Sequence, residues 1–393
     1  MRDALEVAAS LTDRCTEIAS LARNRAAYAE EERRVPDESI RELMDAGFFR
    51  AFTPKRYGGL ESELLPLFEG LIELGRGCAS TSWVAGLLSL HNFLVGLFDS
   101  RVQDELWADG PDLLVAASIA PAGSATRGSN GYWVQGRWSF ASGVDHCTWA
   151  MITAPVIEEN SAQSAYVFLV PQAAYTIHDD WQVSGLCATG SKSIDIKEAA
   201  FVPQYRARGF RINTLQVPKM ENGPVSWHRH IPWEPLFRLA FAPPAIGNAL
   251  AMLTAYREHL TIRRAPYTGI LFRDKQASLV RMAYASAEVD SACLVLRRDL
   301  IELERHAKLG QPVPPGSIDR MFFDAAYIVG CCTRAVDRLF AGSGGKALYQ
   351  TNPMQRHFRD MHAMSLHAAA DIDTAGELFG RSLLPVDNPA NQG

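Results

Sequence analysis

Residues 136–149 read GRWSFASGVDHCTW, a run in which Trp138 and Phe140 alternate with polar residues until Ser142 and Gly143 close the pattern. A period of two is that of a strand, whose alternate side chains share a face. Trp138 and Phe140 are therefore expected on one face, with the Ser142 hydroxyl at the strand end. Such a face suits a flat heteroaromatic ring. The same two aromatics also suit the core of a small barrel, and the pattern by itself is compatible with both.

Outward from this run the grammar stays that of strands. Residues 115–120, 132–140, 149–156, 166–170, 175–178 and 193–201 are short apolar or alternating runs separated by Gly, Asn, Ser and Pro, which predicts a small antiparallel barrel or sandwich. Val202-Pro203 is expected to end the sheet, and an irregular stretch from Arg206 to Pro244 follows, containing Trp227, His228, His230 and Trp233. Before the strands, helical periodicity runs to Trp107, pausing at the turn-forming TPKRYGG of residues 53–59. After them, apolar residues recur at three- and four-residue steps over 245–264, 275–309, 318–340 and 355–379. The fold class is thus α+β and mostly α: an N-terminal helical domain (1–111), a central antiparallel β domain (112–222) and a C-terminal helical bundle (223–393).

At 393 residues the chain has length for two or three packed domains. A net charge of -5, with its Arg-Arg pairs scattered, offers no surface for a phosphate backbone, so no nucleic-acid partner is expected. The N-terminal run is amphipathic, without the apolar stretch of a signal peptide or a spanning helix, so a cytoplasmic location and no membrane association are expected. Seven cysteines lack CxxC or CxxH spacing; they read as buried free thiols, without a metal site or a disulfide framework.

The run GSGGKA (342–347) lacks the Ser or Thr that a Walker loop places after its Lys, and a helix rather than a strand precedes it, so it reads as an interhelical turn. Glycine there still lets the main chain come close to a cofactor. With no nicotinamide fingerprint, an oxidoreductase of this sequence would receive electrons on a diffusible carrier. In WQVSGLCATGSKS (181–193), Thr189, Gly190 and Ser191 form a small polar loop, either a plain turn or a cradle for a phosphate or the polar edge of a flavin. His91, His362 and His367 are the candidate acid-base groups, although a lone His on an apolar helix is as readily a hydrogen-bonded core residue.

Taken together, these features resemble the acyl-CoA dehydrogenase superfamily over essentially the whole chain: GRWSFASG (136–143) is similar to its strand beside the flavin, and GSGGKALYQTNPMQRHFRD (342–360) to its glycine-rich turn leading into an Arg-Asp helix. Beyond Arg359-Asp360 the dehydrogenases of the common type carry a catalytic glutamate, whereas MHAMSLHAAAD (361–371) has none and places His367 at or next to that position. The blocks at 35–59, 79–92, 117–123, 138–149 and 185–193 resemble more closely the oxygenase components of two-component flavin-dependent monooxygenases, of the p-hydroxyphenylacetate hydroxylase and secosteroid phenol hydroxylase type.

That resemblance implies a separate NAD(P)H-flavin reductase supplying reduced FMN or FAD, addition of O2 at flavin C4a, and oxygen transfer from the hydroperoxide to a small phenolic or aromatic substrate. It also implies a homotetramer. It places Ser142 at flavin N5, the aromatic strand of Trp138 and Phe140 beside the ring, and Thr189, Gly190 and Ser191 along the isoalloxazine. His91, Ser118 and His367 would surround the substrate, with Trp83 near that pocket. Arg273 and the 342–345 turn, including Gly344, would reach a flavin bound to a neighbouring subunit. An acyl-CoA dehydrogenase, an N- or S-oxygenating relative and a catalytically silent scaffold are the alternatives.

Overall fold

The computed structural model describes residues 2–157, 164–210, 226–265 and 267–384. Five helices come first: α1 (Arg2–Glu32), α2 (Asp37–Asp45), α3 (Leu64–Gly77), α4 (Ala79–Val95) and α5 (Ser100–Leu106). Eight strands follow: β1 (Val115–Ser118), β2 (Ser124–Arg127), β3 (Gly131–Ala141), β4 (Trp149–Ile157), β5 (Ser164–Pro171), β6 (Thr176–His178), β7 (Lys192–Pro203) and β8 (Ala207–Phe210). The chain then returns to helices with α6 (Trp233–Leu239), α7 (Ala242–Ile262), α8 (Gln276–Lys308), α9 (Pro315–Ser343), α10 (Pro353–Ser365) and α11 (Ile372–Ser382). The α+β, mostly helical class is as expected from the sequence.

The sheet runs β6-β7-β3-β2-β4-β5-β8, with β1 also paired to β4. It is not purely antiparallel, which corrects the expectation: β1 and β2 both run parallel to β4. They behave as one interrupted strand, since Val115 lies opposite Trp149 and Ala125 opposite Val156. Eleven residues on one side (115–125) thus match eight on the other (149–156), and the excess loops out at residues 119–123, where Pro121 cannot donate to a ladder and Gly123 adopts φ 63°. The four-residue β2 (SATR) carries no apolar or alternating run, and β8 lies inside the stretch read as irregular. That stretch also contains α6 and the start of α7; its residues 211–225, with the 222/223 domain boundary, lie outside the described residues.

Every residue of α4 is buried, the signature of a helix surrounded on all sides. It touches α3, α7, α10 and β1, tying the helical domain, the sheet and the bundle together. Residues Trp233–Ile262 are long and apolar enough to cross a membrane, but 78% of their most apolar window is buried inside the protein; α7 is the bundle's core helix. It crosses α3 with two glycines in contact, because a Cβ on Gly247 would run into the Gly75 backbone and the Ile72 carbonyl oxygen. All seven cysteines are free, six of them buried.

The predicted helix over 355–379 is two helices. The chain leaves α10 at Ser365, passes Leu366 and His367, makes a short 3-10 turn (Ala368–Ala370) and restarts as α11. His367 caps that turn, its Nδ1 accepting the Ala369 N–H at 3.1 Å, so the break places this histidine's ring off the helical register.

Because backbone meets backbone at Gly247, Gly247→Val must push α3 and α7 apart; a loss of about 1–3 kcal/mol is expected, read as a lowered urea midpoint with native-like helical circular dichroism.

Candidate active site

The end of β3 is shaped by two backbone devices. The β3–β7 register slips between Trp138 and Ala141, a bulge that breaks the alternation of side chains. Phe140 at the bulge adopts φ 65°. The consequence corrects the sequence reading: Trp138 and Phe140 do not share a face. Trp138 is wholly enclosed, its indole N–H donating to the Thr153 carbonyl at 2.8 Å, and belongs to the sheet's core. Phe140 is 69% exposed and meets Trp181 edge-on at 5.9 Å, so it alone presents an aromatic ring outward.

Just beyond, Gly143 turns the chain at φ 69°, where a Cβ would press on Val84 of α4. Its N–H donates to the Thr189 carbonyl at 2.9 Å. This brings the 185–191 loop onto the strand end and assembles three hydroxyls. Ser142 Oγ lies 2.7 Å from Ser191 Oγ, and Ser191 Oγ 2.7 Å from Thr189 Oγ1. Thr189 Oγ1 donates to the Leu186 carbonyl at 2.9 Å, and Trp83 Nε1 donates to Ser142 Oγ at 3.3 Å. All three hydroxyl residues are buried.

The loop itself is held by α10. Gly185 packs so closely that a Cβ would overlap the Arg359 carbonyl oxygen. Asp360 Oδ1 accepts the Leu186 N–H at 2.7 Å, and Leu186 sits at φ 53°, a left-handed conformation that a non-glycine residue holds only when its surroundings fix it. Burial pushes the Asp360 carboxyl up to about 6, against the lowering pull of that N–H. Gly190 is left-handed as well, at φ 52°.

Trp83 links the hydroxyls to the other wall. Its ring meets His367 edge-on at 5.4 Å and Phe241 at 4.8 Å, and Phe241 lies 4.0 Å from His367. Burial, followed by the nearby Arg238 charge, brings His367 down to about 4. His91, two turns along α4, is buried, with Nδ1 donating to the Val115 carbonyl of β1 at 2.6 Å. Burial lowers it too to about 4, opposed by that bond. Ser118, at the end of the same strand, donates to the Ser139 carbonyl at 2.8 Å.

The structure therefore brings together Ser142, Thr189, Gly190, Ser191, Trp83 and His367, and ties His91 and Ser118 to the adjoining β1. It does not join Arg273 and Gly344 to them. Arg273 is more than half exposed and paired with Asp274. Its neighbour Phe272 carries the Arg263 guanidinium 3.7 Å above its ring, and Arg263 in turn donates to the Gly342 carbonyl at 3.0 Å, in the turn where Gly344 adopts φ 71°. Arg273 and Gly344 are thus grouped with each other; among the described residues no hydrogen bond, ion pair or ring contact connects them to Ser142. His362 faces away, paired with Asp337 at 2.9 Å. Sequence reading missed Phe241, which has no pattern around it, and Asp360, whose Arg-Asp motif was seen without its hydrogen bond.

Beyond the far end of α4 a cleft of about 170 Å3 is lined by Phe52, Arg56, Phe93, Leu97 and His228 among others. A smaller apolar void, of about 20 Å3, shares Leu97 with it and reaches Ile119, the residue after Ser118.

An exposed aromatic ring at a strand end, a buried row of hydroxyls and a loop fixed in left-handed turns are features that could hold a planar polar ring such as a flavin. Fold and site define an acyl-CoA-dehydrogenase-like flavoprotein, and the comparisons agree. "Acyl-CoA dehydrogenase, N-terminal domain" matches residues 11–99, and "Acyl-CoA dehydrogenase, C-terminal domain" residues 239–372. The chain is 34% identical over 391 residues to the flavin-dependent monooxygenase oxygenase subunit HsaA of Mycobacterium tuberculosis, covering 96% of this chain and 95% of that one. It is 33% identical to the oxygenase component of the FADH2-dependent resorcinol hydroxylase of a Rhizobium species, with 96% and 94% covered. The solved structure of XiaF from a Streptomyces species, in complex with FADH2 and glycerol, superposes with a TM-score of 0.90 at 26% identity, covering 98% of each chain. The chain belongs to the oxygenase components of two-component flavin-dependent monooxygenases, and uses reduced flavin and O2.

Asp360→Asn keeps an acceptor for the Leu186 N–H and removes the charge. The folded-state carboxyl is raised above its unfolded value, so its contribution is present at low pH and lost as pH rises from about 4 to 6. The wild type should therefore lose on the order of 2 kcal/mol relative to Asp360→Asn across that window, read from urea midpoints at either end of it.

Proposed function

We propose that the Ser142–Ser191–Thr189 hydroxyls and the Trp83–Phe241–His367 wall are two sides of one oxygenation site, and that its substrate is a small phenol. The observation that carries this reading is the Trp83 indole, which donates to Ser142 while its ring packs on His367. Reduced flavin, when bound, supplies the electrons and the place where O2 is activated; Phe140, Ser142, Thr189, Gly190 and Ser191 are the residues that would hold it. Water entering such a site diverts oxygen to H2O2. The fully buried α4 and the aromatic pair Trp83 and Phe241 form a dry wall against that loss.

The phenol reading is supported by the resorcinol hydroxylase among the full-length relatives, and by the two histidines, which offer opposite tautomers. A carbonyl can only accept, so His91 carries its proton on Nδ1 and leaves Nε2 as a lone pair. His367 accepts a backbone N–H at Nδ1, so its neutral ring carries the proton on Nε2. His91 thus accepts from a phenol O–H, and His367 donates to a phenol oxygen. The His91 acceptor draws off the O–H proton and so raises electron density at the ortho carbons, where an electrophilic oxygen is received, while the His367 donor orients the phenol oxygen and stabilises its phenolate form.

A separate NAD(P)H-flavin reductase completes the system, and the reading places the protein in the cytoplasm. Exposed Tyr267, Ile270, Leu279 and Tyr284 lie close in sequence to Arg273 and support self-association as a homotetramer. In that assembly Arg273 and the Gly344 turn would serve a neighbouring copy's flavin.

Ser142→Ala should raise the H2O2 formed per O2 consumed, and normal coupling in this variant would remove its assigned role. His367→Ala should slow product formation by on the order of 10²-fold or more while flavin oxidation by O2 continues. Since both imidazoles titrate near 4, they remain neutral above that pH; kcat/KM should show no inflection near 6.5, and an inflection there that vanishes in His367→Ala would contradict the neutral-donor role.

A further inference from the structure

The row of hydroxyls has ends of opposite kind, and this fixes the direction of every hydrogen bond in it. At one end stands the Leu186 carbonyl, which can only accept; at the other the Trp83 indole N–H, which can only donate. Each hydroxyl between them has a single hydrogen. Thr189 spends its hydrogen on the Leu186 carbonyl, so the 2.7 Å contact to Ser191 is made by the Ser191 hydrogen. Ser191 is then committed, so the 2.7 Å contact between it and Ser142 is made by the Ser142 hydrogen. Ser142 has given its only proton inward and has taken the Trp83 N–H on one lone pair. What it has left is one lone pair.

We infer that this proton-ordered relay makes Ser142 an acceptor towards the flavin, and that Thr189 and Ser191 thereby set which redox state of the flavin the site holds. The inference rests on the reading that flavin N5 lies at Ser142. Reduced flavin carries a hydrogen on N5 and meets the Ser142 lone pair as a donor. Oxidised flavin has a lone pair on N5, and two acceptors then face each other in a buried place. The Leu186 carbonyl can end the relay because Asp360 pins the Leu186 N–H and holds that residue left-handed, so Asp360 is a positioning residue for the relay.

The two ends respond differently to removal, and the test uses that difference. In Thr189→Val the Ser191 hydrogen loses its acceptor and can turn to Ser142, which is then free to donate outward. In Trp83→Phe a donor is lost, but the Thr189 end still orders the remaining hydroxyls. Wild type, Thr189→Val, Thr189→Ser and Trp83→Phe are titrated anaerobically with FAD and with FMN, each reduced and oxidised, and the ratio of dissociation constants is the readout. The wild type should prefer reduced flavin by about ten-fold or more, the worth of one mismatched buried hydrogen bond. Thr189→Val should lose that preference through tighter binding of oxidised flavin, Thr189→Ser should restore it, and Trp83→Phe should retain it.

An unchanged ratio in Thr189→Val, or a parallel weakening of both redox states in Thr189→Val and Trp83→Phe alike, overturns the relay while leaving the flavin site standing. Failure of the wild type to bind either flavin in either state overturns the site reading, and the relay with it.

Discussion

One hydrogen bond holds the site in its shape: the buried Asp360 carboxylate accepting the Leu186 N–H at 2.7 Å. Leu186 is in a conformation it would not hold alone, and its carbonyl is where the Thr189 side chain anchors. Through Thr189 the constraint passes to Ser191, Ser142 and Trp83, and through Trp83 to His367. His367 follows the end of the helix that carries Asp360. The site is thus a closed circuit in which the bundle holds the β-domain loop from the interior of α10 and presents an imidazole just past that helix's C-terminal end. The energetic cost is visible in the carboxyl itself, which burial raises towards neutrality.

A second feature is that the same burial which makes the walls dry also keeps both histidines uncharged. An imidazolium against Trp83 and Phe241 would have to surrender most of its hydration. The chemistry available is therefore hydrogen bonding from neutral rings, with the backbone choosing the tautomer in each case. That the partners are main-chain groups matters, because a carbonyl or an amide N–H cannot change role with pH as a carboxylate can.

Much of this was legible beforehand for a definable reason. Helices and strands announce themselves by period, so the order of helices, strands and bundle could be read off, as could the turn at 342–347. The polar loop Thr189-Gly190-Ser191 and the Ser142-Gly143 strand end stood out because small hydroxyl and glycine residues interrupt apolar runs. The errors fell where local pattern and register part company. Trp138 and Phe140 look equivalent until a bulge turns one inward and the other out. A helix drawn through 355–379 ignores that His367 can satisfy a backbone N–H with its own ring. β2 (SATR) and β8 (ARGF) are short and carry no apolar or alternating run that would mark them as strands.

What the sequence determined by itself was the inventory: the fold class, the segments and the candidate site residues, all of which depend on local spacing or on motifs that survive in a string. What only the tertiary structure decided was direction and pairing: which aromatic faces outward, which nitrogen of each imidazole keeps its proton, and which way the hydroxyls point. Those depend on contacts between residues far apart in the chain, such as Asp360 with Leu186 and Trp83 with Ser142. A hydroxyl is both donor and acceptor until its neighbours are fixed in space, and no spacing along a chain can make that choice for it.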